Sequence, residues 1–302
     1  MKKIKFLLVS LVAAVLVGCG TTKTVPITGR QQSLMVSDGE VLSLSTQQYQ
    51  EFMKTAKLST NATNTAMVKR VGEKLATAVT NYLRSAGMSE DLQYYNWQFN
   101  LVQNNQVNAW CMPGGLICVY EGLLPVTQDE ASLAIVLGHE IAHAVARHSA
   151  EQMSTQMKQQ YGLQIGTAIA GAVGVGATAQ SIGQWALSQQ FNFKNLKYSR
   201  SHESEADHLG LIVAAMAGYD PQVAVPFWQR MAAKNGNSQQ NDLYSDHPSD
   251  ATRIKQIQEW MPEALRYYTP PTTTTTTAKN ATTTKKTTTK KTTTKKTTTK
   301  KK

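Results

Sequence analysis

The stretch Gly138-His139-Glu140-Ile141-Ala142-His143 decides the reading of this chain. Residues four apart share one helical face, so both imidazoles can reach a single metal ion. Glu140 is turned away by roughly a quarter turn. It therefore sits beside that ion without binding it, placed to take a proton from water activated there. Neutral imidazoles suit zinc, and a zinc site that performs chemistry keeps one position open. The same five residues also fit a helix whose two histidines bind nothing, so further ligands must be sought along the chain.

Upstream, Thr127 and Glu130 are spaced as a capping box, which predicts a helix from there to about Ser149. Val107 to Met112 and Leu116 to Tyr120 flank Pro113-Gly114-Gly115 and predict a hairpin. A Gly114-Gly115 loop would set Cys111 opposite Cys118, which leaves two readings open: a disulfide or two buried thiols. Trp97 to Val102 alternates like a half-buried strand. Asp38 to Lys57 and Thr65 to Leu83 read as helices, the second from Val68, Val71, Leu75 and Val79.

Downstream, Gly162 to Ala179 is uncharged and rich in Gly and Ala, and reads as a mobile helical hairpin or loop near the site. A helix from Ser201 to Ala217 should end at Gly218, before Pro221. It carries His202-Glu203-Ser204-Glu205-Ala206-Asp207. Glu203 and Asp207 share a face, so Glu203 can complete a two-His, one-Glu zinc site. Asp207 can accept from the outer nitrogen of a ligand His and fix its tautomer. A solvated acidic face near a helix start is the other reading of these acids, and the one assigned to Glu205. His148, His202 and His208 read as surface or packing residues. Helices from Pro221 to Lys234 and from Pro248 to Trp260 complete the body.

With these pieces placed, the chain resembles the HtpX and CaaX-prenyl-protease type of gluzincin metallopeptidases. Gly138 to His143 with Arg147-His148, and Glu203 to Asp207, carry the likeness. So do Asn108-Ala109 ahead of Pro113-Gly114-Gly115, and Asp246-His247-Pro248 with Arg253-Ile254. The resemblance implies an α+β, mostly helical zincin-like fold with a small β-sheet or hairpin beside the metal helix. It implies one zinc ion per chain on His139, His143 and Glu203, with Glu140 as base and Asp207 behind the ligands. It places Asn108 on the strand along which an extended substrate would pair. In soluble lipoprotein members the residue matching His247 lies near the metal, as a fourth ligand that shuts the site or as a donor to the oxyanion. A helix-capping role before Pro248 is the plainer alternative. The spans of the integral-membrane members are missing, which favours a soluble periplasmic substrate.

The chain has 302 residues and a net charge of +11, with 41% apolar residues, enough for a core. Setting aside 3 Lys in the first five residues and 10 from Lys279 onward leaves 18 basic against 20 acidic residues. The body is therefore not basic, and nucleic acid is not an expected partner. Three cysteines are too few for a disulfide scaffold.

Both ends stand apart from the fold. Residues 1–18 have a basic start and a short apolar run, as a secretory signal does. Leu16-Val17-Gly18-Cys19 resembles the lipobox of bacterial lipoproteins, which implies cleavage after Gly18 and lipidation of Cys19. Residues 19–35 are then a linker and 36–268 the peptidase domain. Residues 269–302, rich in Thr and Lys, are expected to be a disordered tail. That tail is either a solvated appendage or an electrostatic attachment to anionic surface polymer or lipid.

The expectation is a zinc metalloendopeptidase held by lipid on the periplasmic side of a bacterial envelope, at the outer membrane rather than the inner. Its substrates would be unfolded or misassembled envelope proteins. The competing readings are a metal-containing, chaperone-like binding protein without turnover, a latent protease gated by His247, and an adhesive surface protein acting through its tail.

Overall fold

A computed structural model describes residues 21–168, 185–186, 188–235 and 251–270. The leader with Cys19, the Gly162–Ala179 segment beyond Ala168, the segment holding His247 and the tail from Pro271 lie outside them.

Strands β1 (Thr21–Thr24) and β2 (Gln31–Leu34) form an antiparallel hairpin. It lies within the stretch expected to be a linker. Helix α1 (Asp38–Thr55) starts at a capping box in which Ser37 and Glu40 satisfy each other's backbone N–H groups. Helix α2 (Ala62–Ser85) is the one foreseen from its periodicity, and it buries Val68, Val71, Leu75, Val79 and Leu83. Gly72 on the same face is required by packing, because a Cβ there would meet the Phe99 ring at 2.2 Å.

Strands β3 (Gln98–Val102), β4 (Ala109–Met112) and β5 (Leu116–Tyr120) form a mixed sheet in the order β3-β5-β4. β4 and β5 are the expected hairpin, but its register differs. Cys111 pairs with Ile117, and Trp110 with Cys118. The loop takes in Pro113 as well as Gly114 and Gly115, both at positive φ. One extra loop residue shifts the pairing by one and turns the two thiols to opposite faces. Both cysteines are buried and free, so of the two readings the thiol one holds.

A short helix α3 (Leu124–Thr127) precedes the long metal helix α4 (Glu130–Val145). The expected Thr127–Glu130 box does not form. Thr127 closes α3 through its Leu124 carbonyl, and Asp129 caps α4 by accepting from the Ser132 N–H at 2.6 Å. An aspartate is at least as good a cap as a threonine, and Glu130 instead pairs with Arg70. Helix α4 also stops earlier than expected. Arg147 adopts φ 55°, held by Asp38 at 2.8 Å and Asp91 at 2.7 Å, and α5 (His148–Ala168) begins in a new direction.

Helices α6 (Arg200–Met216, capped by Ser199), α7 (Ala224–Asn235) and α8 (Ala251–Tyr267) complete the body. α4 is buried on nearly every side, as a helix apolar all round must be. It packs on α2, on β4 and most extensively on α6. No helix among the described residues is long and apolar enough to cross a membrane.

Candidate metal centre

The helices α4 and α6 approach at two glycines. A Cβ on Gly138 would meet the Gly210 carbonyl oxygen at 2.7 Å, and one on Gly210 would meet the His139 nitrogen at 2.6 Å. Backbone-to-backbone approach of this kind brings α6 side chains within reach of α4 imidazoles. His139 and His143 present their Nε2 atoms to each other at 3.1 Å. Glu203 closes the triangle, with Oε2 3.4 Å from His139 Nε2 and Oε1 3.4 Å from His143 Nε2. All three residues are buried.

This spacing fits zinc. Bonds of about 2.0–2.1 Å in a tetrahedral arrangement put ligand atoms about 3.3 Å apart. The donor set fits as well, since two ring nitrogens and a carboxylate oxygen converging on one point are the donors that zinc takes. Burial disfavours charge on His139, yet Asp207 and then Glu203 draw its value up to about 9. Carboxylates that hold a proton there also attract a divalent cation. On His143 burial prevails and pushes the value well down, leaving a neutral imidazole suited to ligation.

The outer nitrogen of His139 meets Asp207 Oδ1 at 2.9 Å. Asp207 is in turn bound by Arg253, whose guanidinium lies 3.5 Å over the Trp228 ring. Asp207 thus stands where the helix spacing predicted. Arg253 was visible only as part of a motif; its contact with Asp207 was not foreseen.

Glu140 is buried on α4, alongside β4. Its carboxylate is close enough to Cys111 to add to the upward push that burial gives that thiol. Asn108 falls one residue ahead of β4 rather than within it, though its carbonyl continues the ladder by accepting from Tyr120 N–H at 3.0 Å. Its buried amide oxygen has no hydrogen-bond partner among the described residues.

One sequence expectation changes here. Glu205 is not a solvated acid. It accepts from Thr28 at 2.7 Å and from Arg30 Nε at 2.9 Å, and meets His148 Nε2 at 3.0 Å. Burial opposes charge on Glu205, but His148, Arg30 and Thr28 outweigh it and hold the carboxyl at about 2. His148 is fully buried, with its Nδ1 3.0 Å from His143 Nδ1. Burial lowers its value to about 4. His202 stacks on His148 with ring centroids 4.5 Å apart, as a packing residue should, and His208 pairs with Glu263. Tyr198 was not anticipated. Its ring stacks on His143 at 4.0 Å and its hydroxyl meets Ser149 at 2.7 Å.

The description of peptidase family M48 matches residues 62–261, which contain His139, Glu140, His143, Glu203 and Asp207. The chain belongs to peptidase family M48. The His139-His143-Glu203 triangle is the zinc site of an M48 metallopeptidase. Over 246 residues the chain is 30% identical to the human mitochondrial metalloendopeptidase OMA1, covering 80% of this chain and 46% of that protein. It is 28% identical over 266 residues to metalloprotease LoiP of Escherichia coli, covering 86% of this chain and 97% of LoiP. Similarity to the beta-barrel assembly-enhancing protease of Yersinia pestis is 25% over 162 residues, 52% of this chain and 33% of that one. The chain spans about half the length of the first mitochondrial relatives it matches.

Proposed function

We propose that this M48 peptidase is a lipid-anchored endopeptidase of the bacterial envelope that cuts exposed segments of unfolded or misassembled proteins. Its lipid would sit on Cys19, on the periplasmic side and at the outer membrane. The carrying observation is the buried triangle of His139, His143 and Glu203 with Glu140 beside it, next to the edge strand β4. Two similar proteins add support through their names, LoiP as a metalloprotease and the Yersinia protein as a protease that enhances β-barrel assembly.

When bound, zinc supplies Lewis-acid polarisation of the scissile carbonyl and acidifies water. His139, His143 and Glu203 would hold it. Glu140 takes the proton of the attacking water on its carboxylate and passes it to the departing amine nitrogen. β4 stands at the sheet edge, so an extended substrate can add to it through backbone hydrogen bonds. Asn108 extends that edge, its backbone carbonyl continuing the ladder to Tyr120. Backbone pairing reads extended chain rather than side chains, which suits targets defined by exposure.

The test is metal analysis with a casein-cleavage assay on wild type and Glu140→Gln. Both should carry one zinc per chain. Wild type should cleave and be silenced by chelator, and the variant should lose at least ~10²-fold in rate. Normal cleavage by Glu140→Gln sinks the mechanism. Cys19→Ser should move the protein from the membrane to the soluble fraction; unchanged partitioning removes the anchor.

A further inference from the structure

We propose that His148, Glu205 and Arg30 form a positioning chain that orients the zinc ligand His143. The inference rests on the M48 zinc reading and extends it to residues outside the ligand set. If His143 gives its Nε2 lone pair to the metal, its ring proton is on Nδ1. That atom faces His148 Nδ1 at 3.0 Å, so His148 must accept there and keep its own proton on Nε2. His148 Nε2 faces Glu205 Oε2 at 3.0 Å, and a carboxylate accepts from it. Only this pair of tautomers makes both contacts hydrogen bonds. A ligand His whose outer N–H is held has a fixed ring direction and greater basicity.

The chain does not stop at Glu205. Arg30 donates to both Glu205 oxygens through Nε, at 3.1 and 2.9 Å, and to Glu151 through Nη1 and Nη2, at 2.9 and 2.7 Å. Thr28 donates to Glu205 from the same turn. That turn is fastened. Val25 is fully buried among Ala142, Ala146, Ala206 and Leu209, between the two ligand helices. Ile27 N–H reaches the Tyr82 hydroxyl at 3.1 Å, and Gln32 Nε2 the Ala146 carbonyl at 2.8 Å. His139 therefore has its support in Asp207 with Arg253 behind it, and His143 a separate one that ends in the turn between β1 and β2.

The experiment measures the zinc dissociation constant of the full chain by competition with a chromogenic chelator, with kcat and KM on casein and circular dichroism as a check of folding. His148→Phe keeps a ring and removes both nitrogens. It should weaken zinc 10–100-fold, and at saturating zinc lower kcat with little change in KM. His148→Asn, whose side-chain oxygen can still accept from His143, should recover much of the loss. His208→Phe, outside the chain, should stay near wild type. Should His148→Phe not fold, Glu205→Gln carries the test and should weaken zinc about 10-fold. Wild-type affinity in both His148→Phe and Glu205→Gln, or an Asn variant no better than Phe, overturns the chain and reduces His148 to packing. Wild type that takes up no zinc overturns the M48 zinc reading as well, so the two failures are distinguishable.

Discussion

Gly138 and Gly210 face each other where the two ligand-bearing helices cross, each occupying space that any side chain on the other would need. Helix propensity alone says that alanine at either position gains about 1 kcal/mol. Here a Gly210 Cβ would meet backbone of His139 at 2.6 Å, which cannot swing aside. Overpacking of that kind costs about 1–3 kcal/mol or more, so the sign reverses. Gly210→Ala should lower the thermal midpoint and weaken zinc together. An alanine variant as stable as wild type would mean that the helices are not in backbone contact.

Asp207 fixes the outer nitrogen of His139. Asp207→Asn keeps the shape and removes the charge, so zinc should bind roughly 10–100-fold more weakly. Chelator competition at fixed pH reads this directly. An unchanged constant would separate Asp207 from the metal.

The pairing of Glu151 with Arg30 should make the docking of the first hairpin acid-sensitive. Burial raises Glu151, but His202 and Arg30 outweigh it and bring its carboxyl from 4.5 down to about 2. A folded value below the unfolded one stabilises above about pH 4.5 and loses that contribution as pH falls through about 2. The gap in urea midpoint between wild type and Glu151→Gln should therefore be widest near pH 7 and close toward pH 2. A gap that ignores pH would rule out the ion pair as its origin.

Cys111 and Cys118 point to opposite faces of one sheet. In a Cys19→Ser background, denatured and unreduced protein should titrate two thiols, even after growth in an oxidising compartment. Fewer than two would show that the register is shifted from Cys111↔Ile117.

The sequence displayed what is local. The i, i+4 spacing of His139 with His143, and of Glu203 with Asp207, anticipated both halves of the centre, and the Val68-to-Val79 period anticipated α2. What escaped it was set by tertiary partners. Glu205 reads as solvated until Arg30, 175 residues earlier, is brought against it. Thr127 and Glu130 satisfy a capping pattern, yet Asp129 takes the cap and Glu130 has Arg70 for company. The end of α4 has no breaker residue; it follows from Arg147 being held between Asp38 and Asp91. Counting Pro113 inside or outside the loop was enough to flip one cysteine.

The fastened turn at Val25–Arg30 has a practical bearing on trimming the protein. A shortened chain begun at the first long helix, Asp38, would keep every zinc ligand and every helix drawn above. It would nonetheless lack the arginine that clamps Glu205 to Glu151 and the valine seated between the ligand helices. Poor metal retention in such a fragment would reflect the cut rather than the enzyme.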